Sequence, residues 1–100
     1  MIEGIKVLDE VSIVHEDVRY VYKLQKVLHG REDAMGREKV VAGLRIAYWK
    51  NDRYKRNPPI MLAEELVALL CKGIKKGLFD EQSLRELEEA LSVSKKKGHQ

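Results

Sequence analysis

Apolar positions follow two different rhythms along this chain, and the change falls near residue 60. From Val40 to Trp49 they alternate, with Val40, Ala42, Leu44, Ile46 and Tyr48 on one side and Arg45 and Trp49 on the other. A period of two marks a strand with one face against a core, and this is the clearest strand in the sequence. Residues 2–8 and 11–15 also read as extended. The segment 18–29 fits two templates. As a strand, it sets Val18, Tyr20, Tyr22 and Leu24 on one face, with Arg19, Lys23 and Gln25 on the other. As a helix, Val18, Val21, Leu24 or Gln25 and Leu28 form a stripe that Gly30 would stop. Its density of Val and Tyr favours the strand. The polar stretch 31–37, which contains Asp33-Ala-Met-Gly36, then turns a long hairpin between the two segments.

Lys50-Asn-Asp-Arg53 has turn chemistry, and Asn57-Pro58-Pro59 cannot lie inside a helix or a central strand. A short strand at 60–62 is expected before the rhythm changes. Leu62, Leu66, Leu69 or Leu70 and Ile74 then recur at helical spacing, widened by Val67, to about Lys76. Lysines 72, 75 and 76 suit a helix C-terminus and Gly77 a left-handed stop. Asp80 is a good N-cap for a second helix whose apolar edge is Leu84, Leu87 and Leu91. Residues 94–100 have no apolar content and are expected as a frayed basic tail. The expected fold is α+β: an antiparallel sheet of about four strands followed by a C-terminal helical hairpin. It forms one domain over 1–93.

Composition narrows the class. One hundred residues is the size of one domain, and 44% apolar with 35% charged residues is the balance of a folded chain. The longest apolar run, residues 66–71, is six residues, against roughly 20 for a membrane span. The start, Met-Ile-Glu-Gly-Ile-Lys, lacks a basic region followed by an apolar stretch, so no secretory signal is expected. Cys71 is the single cysteine, which suits a reducing cytoplasm. The absence of threonine, the two asparagines and the abundance of Lys, Arg and Glu lean towards a thermophile.

Charge changes the picture more. Residues 1–18 sum to −4, residues 19–56 to +7 and residues 57–100 to zero, for a net +3. The excess lies wholly in the middle third, as expected of an anion-binding face; the plain alternative is that these bases pair with the acidic N-terminus. Five of the six aromatics, Tyr20, Tyr22, Tyr48, Trp49 and Tyr54, lie in the same middle third. Unpaired bases stack on aromatic faces while Lys and Arg follow the phosphates. The run Tyr48-Trp-Lys-Asn-Asp-Arg-Tyr-Lys-Arg56 is therefore the candidate site, with Arg45, Trp49, Lys50, Arg53, Tyr54, Lys55 and Arg56 as its residues. Tyr22 and Tyr48 read better as core residues of a sheet face, Trp49 and Tyr54 as stacking platforms.

The run from Leu44 to Leu66 resembles the end of the positive-cofactor-four family of single-stranded-DNA-binding transcription coactivators. There a strand of the Arg-Ile-Arg-Glu-Tyr-Tyr type, a polar turn and a basic approach lead into an Ile-x-Leu-x-x-Glu-x-Trp segment and the dimerising helix. In this chain Asn57-Pro58-Pro59 replaces the family's Gly-Lys-rich approach, Leu66 stands in place of the aromatic, and the second helix exceeds the pattern. The resemblance implies phosphate contacts at Arg45, Lys50, Arg53, Lys55 and Arg56; the broad apolar stripe of 62–74 in so short a chain leads us to expect a homodimer through the 62–76 region. A four-stranded sheet with helices is also similar to single-stranded-DNA-binding proteins of some thermophilic archaea.

Other chemistry is weakly signalled. His15, His29 and His99 have no ligand spacing with one another or with Cys71, so neither a metal nor a cofactor is expected. Cys71 reads as a small core residue on the leucine-rich helix. Gly30, Gly36 and Gly43 lack the spacing of a phosphate loop, and no catalytic grouping is suggested, so the chain does not read as an enzyme. The expected function is sequence-tolerant binding of single-stranded DNA or RNA by a homodimer. The alternative is a small oligomeric interaction or scaffold protein, virus- or plasmid-encoded, whose basic patch meets an acidic protein.

Overall fold

A computed structural model describes residues 4–15, 19–56 and 60–97. Four strands, β1 (Lys6–His15), β2 (Tyr20–Glu32), β3 (Glu38–Lys50) and β4 (Arg53–Lys55), form one antiparallel sheet in the order β1-β2-β3-β4. Two helices follow, α1 (Ala63–Lys76) and α2 (Glu81–Lys97). The arrangement is α+β, with the sheet first and both helices C-terminal.

Segment 18–29 resolves as a strand from Tyr20 onward; residues 16–18 lie outside the described residues. β2 is central, paired to β1 from Lys6↔Leu28 to His15↔Tyr20 and to β3 from Tyr20↔Lys50 to Glu32↔Glu38. Its β-branched and aromatic side chains therefore gain cross-strand neighbours on both sides, which an isolated helix would not supply. The turn between β2 and β3 is built by Asp33. Its carboxylate accepts the N–H groups of Met35 (2.8 Å) and Arg37 (3.0 Å) and pairs with the Arg37 guanidinium (3.1 Å), while Gly36 takes a φ of 75°.

Three expectations of the sequence are corrected. Residues 6–15 form one strand, because the break suggested by Asp9-Glu10 is a bulge between Val7 and Asp9. Residues 60–62 are not a strand; the fourth strand is Arg53–Lys55. The cause is the turn at Asn51-Asp52, where both residues have positive φ (51° and 66°). Two left-handed residues make a tight hairpin whose twist matches its strands, so the chain pairs at once instead of after the prolines. Pro58 and Pro59 themselves lie outside the described residues. Thirdly, α2 continues through Ser94 to Lys97, because lysines sit well in a helical last turn.

The core lies between α1 and one face of the sheet. Tyr22 and Leu24 of β2 meet Leu69 of α1 and Leu78 just beyond it, with Val11, Ile13, Ile46 and Phe79 around them. α1 ends as its lysines and glycine imply. Gly77 is left-handed (φ 85°), and the N–H of Leu78 reaches the carbonyl of Gly73 (3.0 Å), turning Leu78 back into the core. α2 starts on Asp80, whose carboxylate accepts the N–H of Ser83 (2.8 Å), and its Leu87, Leu91 and Val93 stay exposed.

α1 can approach the sheet closely because Gly73 has no side chain. A Cβ there would stand 2.6 Å from Leu24 Cδ2 and 3.2 Å from Phe79 Cε2. Gly73→Ala would gain up to ~1 kcal/mol of helix propensity but drive a methyl into a buried leucine, and overpacking costs about 1–3 kcal/mol. The variant is therefore expected to be less stable, seen as a lower urea midpoint. A midpoint at or above that of the wild type would mean that α1 does not sit this close.

Candidate nucleic-acid interface

The sheet has a second face, turned away from α1, and strand alternation decides what it carries. Tyr20, Tyr22 and Leu24 face α1, so Lys23 and Gln25 face away. Register then places Glu10 opposite Gln25, Gln25 opposite Arg45 and Trp49 opposite Tyr54 on that same face. These side chains form one connected system. Gln25, buried, donates through Nε2 to Glu10 Oε1 (2.9 Å) and accepts from Arg45 Nε (2.7 Å). Glu10 Oε2 pairs with Lys23 Nζ (2.9 Å), and that ammonium lies 4.9 Å from the centroid of the Trp49 ring. Trp49 meets Tyr54 edge-to-face at 5.3 Å.

The seven candidate residues fall on two sides of the sheet. Arg45, Trp49 and Tyr54 stand on the face away from α1. Lys50, Arg53 and Lys55 alternate to the other side, since Lys50 pairs with Arg53 and Lys55 with Tyr48. Lys50 Nζ lies 5.5 Å over the ring of Tyr20. Arg56 follows β4 at the sheet edge, where it, Lys55, Arg45 and Tyr54 rim a groove of about 690 Å³ floored by Leu44, Ile46, Met61, Leu66, Leu70 and Phe79. The whole set therefore surrounds the β3–β4 hairpin as a basic corner with an aromatic pair on one flank.

Tyr20, Tyr22 and Tyr48 lie on the α1 side, in ring contact at 5.8–6.2 Å, with Tyr22 buried in the core and the other two packed against it. They are core residues, as the alternation implied. Tyr54 is 48% exposed and Trp49 half-buried beneath Lys23, so Tyr54 is the more open platform. Cys71 is exposed, not part of the core, because α1 turns that side away from the sheet.

The acidic N-terminus does pair with bases, through Glu10 to Lys23 and Asp9 to Lys76 (2.8 Å). Lys50, Arg53, Lys55 and Arg56 make no ion pair among the described residues. Glu10, Lys23 and Gln25 were missed as members of the site. Their signal was the polar side of the β2 alternation, but only the strand register shows that it lies beside Arg45 and Trp49.

The hydrogen bonds from Lys23 and Gln25 hold the Glu10 carboxyl below its ordinary value of 4.5. A depressed carboxylate stabilises the fold above the ordinary value, and that contribution is lost as the pH falls below it. Wild-type stability should therefore decline more steeply than that of Glu10→Gln on acidification from about pH 6 to about pH 3. Chemical denaturation at several pH values measures this, and parallel curves would show that the Glu10 pairing contributes nothing.

Among the described residues no group of three or more His, Cys, Asp or Glu side chains comes together as a metal site, and no helix is long and apolar enough to cross a membrane. No family model, curated protein or solved structure matches the chain.

Proposed function

We propose that the β3–β4 corner binds single-stranded nucleic acid without sequence preference, in a cytoplasmic setting. The observation that carries this reading is the Trp49–Tyr54 pair on the sheet face away from α1, joined to Arg45 and bordered by four cations without ion-pair partners among the described residues. Splayed bases meet the two rings, and Arg45, Lys50, Arg53, Lys55 and Arg56 track phosphates around the sheet edge. Mixed placement on two sides of a three-residue strand suits a flexible single strand better than a duplex, whose phosphates keep a rigid spacing. The resemblance to the coactivator family covers this same stretch and supports the same reading.

Arg53, Lys55 and Arg56 contact backbone only in this reading. Their joint replacement by Ala is expected to weaken binding to every oligonucleotide alike and to flatten the dependence of log K on log salt by roughly 0.7 for each lost contact. Titrations of several sequences over a salt series measure both. A variant that loses one sequence and keeps the others would show base reading in place of phosphate contact, and unchanged binding would remove these residues from the site.

Assembly is part of the proposal. Leu62 at the N-cap of α1, Leu66, Val67 and Ile74 on α1, and Leu87, Leu91 and Val93 on α2 are exposed apolar side chains. A homodimer covering the 62–76 region would bury part of this surface. The same surface is what favours the second reading, a small interaction or scaffold protein.

A further inference from the structure

The two outer edges of the sheet are treated differently. An unpaired edge is a template for another strand, and proteins commonly block it with bulges, charges or covering groups. The β1 edge is blocked in all three ways. It carries the bulge between Val7 and Asp9 and the charges of Asp9 and Glu10. Its carbonyls at Glu10 and Ser12 accept hydrogen bonds from Lys76 (2.8 Å) and Lys72 (2.9 Å) of α1.

Among the described residues the other edge has neither a bulge nor a side chain hydrogen-bonded over its backbone, and its charges, Glu38, Lys39 and Arg45, are spaced around an apolar row. β4 pairs only with Tyr48, Trp49 and Lys50, so residues 38–47 of β3 have no outer partner strand among the described residues. Pairing between β2 and β3 runs through this stretch residue for residue from Glu32↔Glu38 to Lys23↔Ala47, without a bulge. It contains no proline. Its side chains on the α1 side are Val40, Ala42, Leu44 and Ile46; Ile46 packs against the core, but α1 leaves the rest of the row open, with Val40 53% and Leu44 40% exposed. A regular ten-residue edge with an uncovered apolar row is the arrangement that pairs with another strand.

We infer that residues 39–47 of β3 pair antiparallel with the same residues of a second copy, joining two four-stranded sheets into one. The occupant is a second copy because the row is self-complementary. An antiparallel pair about a two-fold axis normal to the sheet keeps both α1 layers on one side and sets like-facing residues opposite each other. Centred on Gly43, it places Val40 against Ile46 of the partner subunit and Ala42 against the partner's Leu44. Lys39 then falls opposite the partner's Ala47 and Arg45 opposite the partner's Val41, so no two cations stand directly opposite each other. This interface is an alternative to a dimer through 62–76, and it does not depend on nucleic-acid binding.

The test uses the full chain. Sedimentation or light scattering at micromolar concentration should give twice the monomer mass of 11.5 kDa. Hydrogen exchange should show outward amides within 39–47 protected in the dimer and losing that protection on dilution. Val40→Lys, alone and with Leu44→Lys, changes only exposed side chains and should return the mass to 11.5 kDa with an unchanged circular dichroism spectrum. A wild-type monomer, or a dimer whose 39–47 amides exchange no more slowly than on dilution, overturns the inference. So does a dimer that survives both lysine variants and dissociates instead on Leu87→Glu or Leu91→Glu.

Discussion

Leu69→Ala is expected to lower the free energy of unfolding by about 2–5 kcal/mol, the cost of truncating a buried leucine together with the cavity it leaves. Leu69 is the one large side chain among the described residues with no exposure at all, and it joins α1 to Tyr22 and Leu24 of the central strand. Domains of this kind have about 5–15 kcal/mol to lose, so the variant should stand near the threshold of folding. Val67→Ala, two residues away but on the exposed side of the same helix, should cost within about 0.5 kcal/mol. Urea denaturation followed by circular dichroism compares the two. Equal losses at both positions would mean that α1 is rotated relative to the sheet.

Replacing both Trp49 and Tyr54 by Ala should weaken single-strand binding by about 1–3 kcal/mol for each stacked base, or roughly tenfold for every 1.4 kcal/mol. Neither residue belongs to the core cluster, so the effect on melting should be smaller, limited to the aromatic pair itself at about 0.5–1.5 kcal/mol. Trp49→Phe with Tyr54→Phe keeps both aromatic faces and should recover most of the affinity. Failure of that rescue, with the fold intact, would assign the binding to something other than stacking.

Much of this architecture was legible from alternation. Val40 to Trp49 states which side chains share a face, and that alone separates Tyr48 from Trp49. The Gly77 stop and the Asp80 cap were legible because each is a local hydrogen-bond requirement carried by one residue. β4 was not, since Arg53, Tyr54 and Lys55 are all exposed and a strand without a buried side leaves no hydrophobic pattern. What makes it a strand is the left-handed pair Asn51-Asp52, a backbone fact. The bulge at Asp9 looked like a strand break for a related reason: one extra residue shifts the alternation without ending the pairing.

The site was half legible. Its aromatic and basic content is contiguous in the sequence, but contiguity hides that neighbours in a strand point to opposite sides. Lys50, Arg53 and Lys55 part from Trp49 and Tyr54 for that reason alone. Glu10, Lys23 and Gln25 entered only through register, which is set by pairings between residues 11 to 24 positions apart in the chain (Ser12↔Lys23 to Lys23↔Ala47) and has no local signature. The apolar stripe of α1 also promised more burial than occurs. Leu62, Leu66 and Ile74 stay exposed because α1 lies over β1 and β2 and leaves the β3 side of the layer open.

The most direct measurement is the emission of Trp49 during titration with a single-stranded oligonucleotide, repeated with the matching duplex and at several salt concentrations. Trp49 is the sole tryptophan, so the signal reports this one position. Binding at the β3–β4 corner predicts saturable quenching by the single strand, weaker response to the duplex, and an affinity that falls steeply as salt rises. Emission that stays unchanged while the oligonucleotide is shown by another method to bind would place the nucleic acid elsewhere on the molecule. Absence of binding at low salt would contradict the proposed function itself.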